Sequence, residues 1–517
     1  MKKLRAFAVT APHWIKSHNP DSQTSLNSRE PFSLQNAIRL CVKAASNKED
    51  EWYESNWSCR ERLKESIMLY EYFQNQLDDY ISRIQSIKPN LIVICTMTLG
   101  YPGAIEIASV ARKTLGDQVF IAIGGKHIIE TTFLDESGEL GGNKSCTLRQ
   151  MIRGEVPKVF DLVVSGDGEE VIYELGKIIV NLEDKFSVSS VLKKADSLAL
   201  AKGNWIGGYI ESNEISYLVG NEPLNQDILP FPCEFFYSKS HFPVFDSDVT
   251  FHAYSYMSKG CPFDCFFCSE KRQINGMMSQ SSTAPNRLYQ QFSVVSEKTK
   301  AVGHKASIFV EDSVFLGGNV KLLDKFHTLM EGSELDIEFG MQYTVDLLQK
   351  ESHREAIRKL NTIGLTYVFI GIETNVEEIA ETMNKNTDKK TPWMTKAKSI
   401  IEFLHSYQIN CGFSILYGLG ETHRKRIEIL EQLKKWQSEF QQPKVVSLNL
   451  ATLHPLQQDG DESFTKWGTS SFSDYLPIFT QIFGEASVMY SLKDKYIGTV
   501  EELKEIKVIY DNLNKLN

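Results

Sequence analysis

The sequence predicts an α/β fold built in two successive sections, followed by a small helical region. Between residues 91 and 180, continuous apolar segments alternate with amphipathic ones, which is typical of buried parallel strands joined by helices. A second series of strands alternating with helical sequence begins at Ala253. Residues 461–517 are amphipathic and rich in aromatic side chains. We expect a doubly wound, Rossmann-like sheet in the first section and a second parallel α/β assembly after it.

The composition is that of a folded protein in a reducing compartment. A chain of 517 residues is long for one domain, and such a length favours about two to four domains. The net charge of −10 argues against a broad nucleic-acid-binding surface. We find no apolar segment long enough to span a bilayer, and Pro12 interrupts the short apolar stretch near the start. Nine cysteines, three of them clustered, fit a cytoplasmic protein better than a disulfide framework.

The first section begins with a strand and lacks a clear second one. Leu4–Thr10 is predicted to be a buried strand, and a helix is expected near Ser33–Ala45. Apolar residues recur at helical spacing between Glu61 and Ile87, and no clear strand is visible between residues 46 and 88. Further strands are predicted at Leu91–Cys95, Val119–Ile123 and Phe160–Val164, with an insert at 133–158. Residues 181–250 are expected to connect the two sections, with a turn near Trp205.

Small and polar residues follow each of these three later strands. Because ligands of doubly wound sheets lie outside the carboxyl ends of the strands, the turns are candidate binding positions. Glycines there would let a large cofactor approach the backbone. A Rossmann-like domain without a cofactor would show the same features. The candidates are Thr96 and Thr98 after the first strand, Gly124, Gly125 and His127 after the second, and Ser165, Gly166 and Gly168 after the third.

A cysteine triplet lies near the start of the second section. Cys261, Cys265 and Cys268 stand four and then three residues apart, and the flanking Gly260 and Pro262 favour a loop. This spacing would bring to one point three thiolates, the soft ligands that iron–sulfur clusters need. A zinc site usually shows a second cysteine pair or histidines downstream, and the sequence has neither pattern. Zinc and incidental buried cysteines are the alternative interpretations.

The triplet resembles the C-x3-C-x2-C signature of the radical S-adenosylmethionine (SAM) enzymes. The resemblance implies a 4Fe–4S cluster on the three cysteines, with SAM bound to its fourth iron. One electron from the cluster would cleave SAM to a 5′-deoxyadenosyl radical, and Phe267 would lie near the adenine. The strands of the second section suit the partial (β/α)6 barrel of that superfamily. They are predicted at Ala253–Met257, Ala306–Val310, Ile337–Tyr343, Tyr367–Ile372, Cys411–Tyr417 and Val445–Leu450.

Polar residues follow several of these strands at positions where the superfamily contacts SAM. Glu311 and Asp312 match the place that meets the SAM amino group, and Glu373 matches one that often meets its ribose or carboxylate. Gly418 and Glu421 belong to a stretch that resembles the G-x-P-G-E-T pattern, although a leucine replaces the usual proline. For each carboxylate, the plainer alternative is a helix N-cap or a solvated loop charge.

The strand ends of the first section, followed by the cysteine triplet, resemble the cobalamin-binding class of radical SAM proteins. The resemblance implies that the corrin lies against the candidate turns of the first section and faces the radical site. The sequence contains no D-x-H-x-x-G, so the histidine-on cobalamin binding of the mutases is not indicated. We therefore do not assign His127 as an axial ligand; it is a neighbour of the corrin or an ordinary polar residue at a strand end.

The resemblance implies a cytoplasmic, oxygen-sensitive enzyme that receives electrons from an external reductant such as flavodoxin or ferredoxin. With cobalamin bound, it would methylate an unactivated carbon or a phosphinate of a small-molecule or natural-product substrate. The alternatives are a radical rearrangement or carbon–carbon bond formation with cobalamin structural or absent, and an iron–sulfur redox or sensor protein. Nucleic-acid modification is disfavoured by the charge. The expected domains are 1–190 (cobalamin-binding-like Rossmann domain), 191–250 (linker), 251–460 (radical SAM core) and 461–517 (helical region).

Overall fold

The computed structural model of the chain forms two compact units. It describes residues 4–10, 52–56, 77–224, 231, 237–239, 242, 244–255, 261–270, 281–383, 385, 390–457, 482–483 and 496–515. The first unit contains the described residues up to 224 together with 454–457, and the second contains those from 231 to 453 and from 482 onward. In the described part of the chain, no helix combines the length and the apolarity needed to cross a membrane.

Seven strands form the sheet of the first unit. They are β1 (Leu4–Thr10), β2 (Trp52–Asn56), β3 (Leu91–Cys95), β4 (Phe120–Gly124), β5 (Leu162–Gly166), β6 (Gly203–Glu211) and β7 (Glu214–Glu222). Their order is β2-β1-β3-β4-β5-β6-β7. The first five run parallel, and β6 and β7 run antiparallel to their neighbours. The order of the parallel strands is that of a doubly wound sheet, so the prediction of a Rossmann-like fold is confirmed.

Both faces of the sheet are buried at the parallel strands β3, β4 and β5, which explains their continuous apolar sequences. In β4, Ile121 and Ile123 belong to one hydrophobic cluster, whereas Phe120 and Ala122 belong to another. This alternation follows from the two-residue repeat of a strand. The helices that pack on the two faces are α1 (Leu77–Ile87), α2 (Tyr101–Leu115), α3 (Lys126–Thr131), α4 (Thr147–Arg153), α5 (Glu169–Leu182) and α6 (Val188–Leu192).

The expectation that no strand lies between residues 46 and 88 is wrong. Trp52–Asn56 forms β2, which pairs in parallel with β1 and places Trp52 opposite Leu4. Among the described strands, β2 has a neighbour on one side only, so its sequence need not be the apolar run of a central strand. The helix expected near Ser33–Ala45 lies outside the described residues.

Part of the expected connection between the two sections belongs to the sheet. Residues 203–222 form the hairpin β6–β7, which extends the sheet beyond β5. Trp205, expected in a turn, is buried in β6, where its indole nitrogen donates to the carbonyl of Ala201 (3.1 Å). A Cβ at Gly220 would lie 2.1 Å from that nitrogen. A glycine is therefore needed on β7 to make room for the buried tryptophan.

Residues 454–457 complete one end of helix α3 in the first unit. The amide of Gln457 donates to the carbonyl of Glu130 (2.8 Å), and its side-chain amide donates to the carbonyl of Ile129 (2.9 Å). The last carbonyls of a helix lack partners within the helix, so these two bonds cap it. The first unit thus includes residues from a distant part of the sequence.

Seven strands also form the sheet of the second unit. They are β8 (Tyr237–Lys239), β9 (Val249–Ala253), β10 (Ala306–Val310), β11 (Glu338–Tyr343), β12 (Leu365–Glu373), β13 (Asn410–Tyr417) and β14 (Val445–Leu450), and they lie in sequential order across the sheet. The last six run parallel, and β8 pairs antiparallel with β9. This half-barrel confirms the expected partial (β/α)6 barrel. Its first strand ends at Ala253, where the sequence predicts the strand to begin.

Helices alternate with the strands of the half-barrel. They are α7 (Ala284–Lys300), α8 (Val320–Glu331), α9 (Val345–Leu348), α10 (Glu351–Thr362), α11 (Glu377–Thr382), α12 (Trp393–Ser406), α13 (His423–Phe440) and α14 (Val500–Lys515). Aromatic residues of the segment before β9 pack against the sheet. Phe242 stacks on Phe309 with ring centroids 5.1 Å apart, and Phe245 meets Tyr367 edge-on at 6.0 Å.

Helix α14 is fastened to the last strand of the half-barrel. Asn514 accepts a hydrogen bond from the amide of Val446 (3.3 Å) and donates to the carbonyl of the same residue (3.2 Å). β14 is an edge strand, so these bonds satisfy groups on its free side. The helix confirms the helical character expected after residue 461 for Val500–Lys515. Phe464, Trp467, Tyr475 and Phe479, which contribute to that expectation, lie outside the described residues.

Candidate active site

The three cysteines lie on one short loop after β9. The amide of Cys268 donates to the carbonyl of Cys265 (3.1 Å), and the amide of Cys261 donates to the carbonyl of Glu270 (2.6 Å). These bonds close the loop, and each cysteine remains partly exposed. In parallel α/β assemblies, ligands gather beyond the carboxyl ends of the strands. The fold therefore brings the three predicted cluster ligands together at a position suited to a cofactor.

Burial makes the free thiols difficult to ionise. It raises the pKa of Cys261 to about 11 and that of Cys268 to about 12, and it raises the pKa of Cys265 as well. Because thiolates are the ligands, a bound cluster must displace these protons.

The arrangement of the three thiols differs from a site for a single metal ion. Among the described residues, no three His, Cys, Asp or Glu side chains are placed to share one metal ion. A 4Fe–4S cluster does not require such convergence, because each cysteine binds a different iron. The loop therefore fits a cluster through three separate, partly exposed sulfur atoms.

Glu311 and Asp312 both follow β10, but their side chains have different surroundings. The carboxylate of Glu311 is partly exposed and lies 2.7 Å from Nδ1 of the buried His252 on β9. Asp312 is buried and accepts hydrogen bonds from the amide (2.9 Å) and hydroxyl of Ser255 and from the amide of Leu316 (3.3 Å). Burial raises the pKa of Asp312 to about 6. Glu311 is thus placed to meet a ligand, whereas Asp312 joins the segments that follow β9 and β10.

Glu373 ends β12 in a strained conformation. Its φ of +66° lies in the left-handed region, which glutamate rarely adopts, and the pairing of β12 with β13 shifts register beside it. The carboxylate accepts hydrogen bonds from Nζ of Lys385 (2.6 Å) and from the hydroxyl of Ser414 (3.3 Å). Backbone strain of this kind persists where surrounding contacts hold the residue, and it is common at ligand sites.

Phe267 offers a flat apolar surface within the cysteine loop. The ring is partly exposed and meets Phe266 edge-on, with centroids 5.7 Å apart. Nζ of Lys385 lies 5.9 Å from the centroid of the Phe267 ring. An aromatic ring in this setting is suited to packing against a nucleobase, as the resemblance implies for the adenine of SAM.

The loop that follows β13 is held from within by Glu421. One carboxylate oxygen accepts from the amide of Gly418 (2.7 Å), and the other accepts from the amide of Leu419 (2.9 Å). Nε of Arg426 donates to the same carboxylate (2.7 Å), and both side chains are almost fully buried. These bonds within the chain occupy both oxygens of Glu421. Glu421 therefore stabilises this loop, and its side chain is less exposed than that of Glu311 (4% against 19%).

The candidate turns of the first unit lie at three neighbouring strand ends. β3, β4 and β5 are adjacent and parallel, and the amide of Thr96 donates to the carbonyl of Gly124 (3.0 Å). Exposure separates the predicted residues into two groups. Thr96, Thr98, His127 and Ser165 are buried, whereas Gly124, Gly125, Gly166 and Gly168 are partly or fully exposed. A ligand at this edge would meet the glycine positions rather than the predicted side chains.

Two of these glycines are required by contacts within the chain. Gly125 has φ +99°, and a Cβ there would lie 2.6 Å from the carbonyl oxygen of Thr96. Gly166 has φ +90°, and a Cβ there would lie 2.1 Å from the carbonyl oxygen of Asn204. Their presence is therefore no indication of a cofactor. The exposed backbone at this edge is suited to a flat ligand such as a corrin, and the predicted polar side chains beside it are buried.

His127 connects the turn after β3 to helix α3. Its side chain is fully buried, with Nδ1 3.2 Å from Oγ1 of Thr98 and its ring stacked on Tyr101 at a centroid distance of 4.1 Å. Its amide donates to the carbonyl of Thr96 (3.2 Å). These contacts give the histidine a structural role at the strand ends.

We expect His127 to make the protein less stable as the pH falls. Burial lowers the pKa of His127 from 6.5 to about 3. Between these values the unfolded chain binds a proton that the folded chain does not, so the free energy of unfolding decreases toward low pH by up to about 1.4 kcal/mol per pH unit. Urea denaturation across this range should show a pH slope smaller by one proton in H127Q. The control is H405Q, which replaces an exposed histidine on α12; an equal slope in wild type and H127Q would contradict the prediction.

Three residues that were not predicted as site residues complete these arrangements. His252 is a polar side chain within an apolar strand, and this contrast is a usable sequence signal. Lys385 follows the strand end of Glu373 in a stretch that resembles the helix-and-lysine segment of the superfamily. Arg426 stands among other basic residues on α13, so its sequence context does not distinguish it from exposed neighbours such as Arg424.

Comparison with known sequences supports the interpretation of the cysteine loop and the half-barrel around it. The model of the Radical SAM superfamily matches residues 255–433. An uncharacterized methyltransferase of Pyrococcus horikoshii is 24% identical over 358 residues, which cover 68% of this chain and 65% of that protein. The match therefore spans slightly less than two thirds of the relative's length.

Comparison with solved structures agrees with the fold of both units. The cobalamin-dependent S-adenosylmethionine radical enzyme OxsB, with aqua-cobalamin bound, matches with a TM-score of 0.54 and 14% identity. This match covers 97% of our chain but only 56% of OxsB. The radical SAM methyltransferase TsrM from Kitasatospora setae, with its tryptophan substrate and a SAM analogue bound, matches with a TM-score of 0.50 and 13% identity, covering 88% of our chain and 74% of TsrM. Residues 255–433 thus match the Radical SAM superfamily, in a chain whose fold is similar to those of OxsB and TsrM.

Proposed function

We propose that this protein is a cobalamin-dependent radical SAM methyltransferase acting on an unactivated carbon or a phosphinate of a small-molecule or natural-product substrate. The observation that carries the proposal is the cysteine loop beyond β9, in the same half-barrel as the strand-end residues Glu311 and Glu373. Radical chemistry on SAM needs a cluster and SAM held in one place, and these residues offer contacts for both. The likeness to two cobalamin-type enzymes supports the second cofactor.

Each residue has a defined task in this proposal. Cys261, Cys265 and Cys268 hold the cluster, Glu311 accepts from the amino group of SAM, and Glu373 contacts its ribose or carboxylate. When bound, the cluster supplies the electron that cleaves SAM, and the cobalamin carries the methyl group. Phe267 packs near the adenine, and the backbone around Gly418 lines the site. The exposed strand-end backbone of the first unit supports the corrin.

The proposal extends to the cellular setting and the domain limits. We place the protein in the cytoplasm, with flavodoxin or ferredoxin as the class of electron donor, and we propose no membrane or nucleic-acid partner. Nine cysteines and a net charge of −10 support this assignment. Cobalamin is assigned to the first unit and SAM to the second, with the sequence limits 1–190 and 251–460 as their approximate extents.

A radical rearrangement or carbon–carbon bond formation without cobalamin chemistry is the second candidate. It is favoured by the burial of Thr96, Thr98, His127 and Ser165, which leaves the first unit without an exposed polar side chain at the predicted corrin positions. A redox or sensor protein that holds a cluster without turnover is a further alternative. It predicts no 5′-deoxyadenosine when the protein is reduced in the presence of SAM.

The test is the cofactor content and reactivity of the whole protein under anaerobic conditions. The protein is reconstituted with iron, sulfide and hydroxocobalamin, desalted, and examined by absorbance spectroscopy and iron analysis. Methyl-deuterated SAM and a chemical reductant are then added, and mass spectrometry follows 5′-deoxyadenosine, S-adenosylhomocysteine and labelled small molecules. Stoichiometric corrin and both SAM products support the methyltransferase. A cluster without corrin, together with 5′-deoxyadenosine alone, overturns it in favour of the rearrangement.

A further inference from the structure

A buried ion pair joins Glu373 at the end of β12 to Lys385. Nζ of Lys385 donates to Oε1 of Glu373 (2.6 Å) and to the carbonyl of Gly371 (3.3 Å). The side chains are only 17% and 10% exposed, so water screens this pair much less than a surface pair. The two charges therefore act strongly on whatever lies beside them.

The chain is shaped to hold this pair in one position. A Cβ at Gly371 would lie 2.2 Å from Oε1 of Glu373 and 2.7 Å from Nζ of Lys385, so the space for the two charged groups depends on a glycine. The other carboxylate oxygen accepts from Ser414, which in turn accepts from the side-chain amide of Asn449 (3.1 Å). A hydrogen-bonded series thus runs from Asn449 on β14 through Ser414 within β13 to Glu373 at the end of β12, and on to Lys385.

Lys385 lies beside the cysteine loop. Its Nζ is 5.9 Å from the ring centroid of Phe267, the residue immediately before Cys268. The carboxylate of Glu373, 2.6 Å away, favours the charged form of the lysine. The ion pair therefore places a positive charge beside the cysteine loop.

We propose that Lys385 and Glu373 together set the reduction potential of the cluster held by the cysteine loop. The lysine raises this potential and the glutamate lowers it. This inference rests on the cluster of the proposed function. Reduction adds one electron, hence one negative charge, to the cluster. A cation beside it stabilises the reduced form more than the oxidised form and raises the potential, whereas an anion lowers it. Because Lys385 and Glu373 are held 2.6 Å apart, their effects on the reduction potential partly cancel.

The two single variants are expected to shift the potential in opposite directions. K385M removes the cation and leaves Glu373 uncompensated, so the midpoint potential should become more negative. E373Q removes the anion and leaves the lysine charged, so the potential should become more positive. K385R keeps the charge and should stay near wild type, and the double variant K385M/E373Q should fall between the two single variants.

The experiment uses the whole protein, reconstituted with iron and sulfide, without SAM or cobalamin. Titration with dithionite and redox mediators, followed by the electron paramagnetic resonance signal of the reduced cluster, gives each midpoint potential. Iron and sulfide contents are measured first, and only samples with wild-type loading are compared. If K385M takes up too little cluster to be measured, the midpoint potentials of E373Q and K385R still test the proposal. The control is K359M, which breaks the ion pair of Lys359 with Asp324 (2.9 Å) between α10 and α8 and should leave the potential unchanged.

The redox titration and the methyl-transfer assay can fail independently, so this inference and the proposed function are tested separately. Opposite shifts in K385M and E373Q, without methyl transfer by the wild type, support the charge pair and count against the methyltransferase. Shifts of the same sign, or an E373Q potential equal to that of wild type in a fully loaded cluster, overturn the charge pair and leave the methyltransferase standing. A wild-type protein that takes up no cluster overturns both.

Discussion

Replacement of Cys265 with alanine is expected to abolish reductive cleavage of SAM by the reconstituted protein. Cys265 is the middle residue of the cysteine loop, and the loop supplies all three of the protein ligands proposed for the cluster. A 4Fe–4S cluster with only two cysteine ligands loses the site geometry that leaves one iron open to SAM. We expect iron and sulfide contents to fall sharply and the formation of 5′-deoxyadenosine to drop to background.

The control for this variant is C411A. Cys411 is fully buried in β13 of the same unit and lies outside the cysteine loop. Its replacement removes a small apolar group and should cost about 1 kcal/mol of stability while leaving the cluster in place. The visible absorbance of the reconstituted protein, its iron content and its 5′-deoxyadenosine yield are measured for both variants. A C265A protein with the iron content and yield of C411A would refute the cluster assignment.

Replacement of Arg426 with methionine is expected to cause a large loss of stability. The guanidinium is 3% exposed and donates to Glu421, to the carbonyl of Ile497 (2.9 Å) and to the carbonyl of Tyr496. Methionine keeps much of the volume but leaves Glu421, whose side chain is 4% exposed, without its counter-charge. Breaking a buried ion pair in this way costs about 3–5 kcal/mol. Urea denaturation should show the loss as a lower midpoint for the transition of the second unit.

Arg424 provides a matched control on the same helix. It is 87% exposed and pairs with Glu428 (2.8 Å), so R424M should change the free energy of unfolding by no more than about 0.5 kcal/mol. The double variant R426M/E421Q removes the unpaired charge and should recover part of the stability lost in R426M. Equal stabilities of R426M and R424M would mean that the buried pair does not hold this loop.

The parts of the fold that the sequence predicts well are those with local signals. The strands Leu91–Cys95, Ala306–Val310 and Val445–Leu450 coincide with their predicted limits, because buried parallel strands are continuous apolar segments. The cysteine triplet is equally predictable from the sequence, because the spacing of its three cysteines within one loop is itself the signal. In both cases the determining residues are close together in the sequence.

The parts that could not be predicted depend on partners far away in the sequence. The polar strand Trp52–Asn56 exists because β1 offers it a free edge, and the hairpin of Trp205 exists because Gly220 makes room for the indole. The site shows the same limit. Glu421 and Glu311 both follow barrel strands, yet Glu421 is buried against its own loop and Arg426, whereas Glu311 is partly exposed. A carboxylate's role follows from the donors around it, and those are not visible in a single sequence.

The way the two units share the sequence has a consequence for synthesis on the ribosome. The first unit receives the cap of helix α3 from Gln457, which is translated only after the strands of the half-barrel. The half-barrel in turn receives Asn514 against its edge strand β14 after that. The first unit therefore lacks this helix cap until the strands of the half-barrel have emerged, so it cannot complete its contacts before synthesis of the second unit is under way. We expect the yield of folded protein to respond to translation speed and to chaperones that protect incomplete sheets.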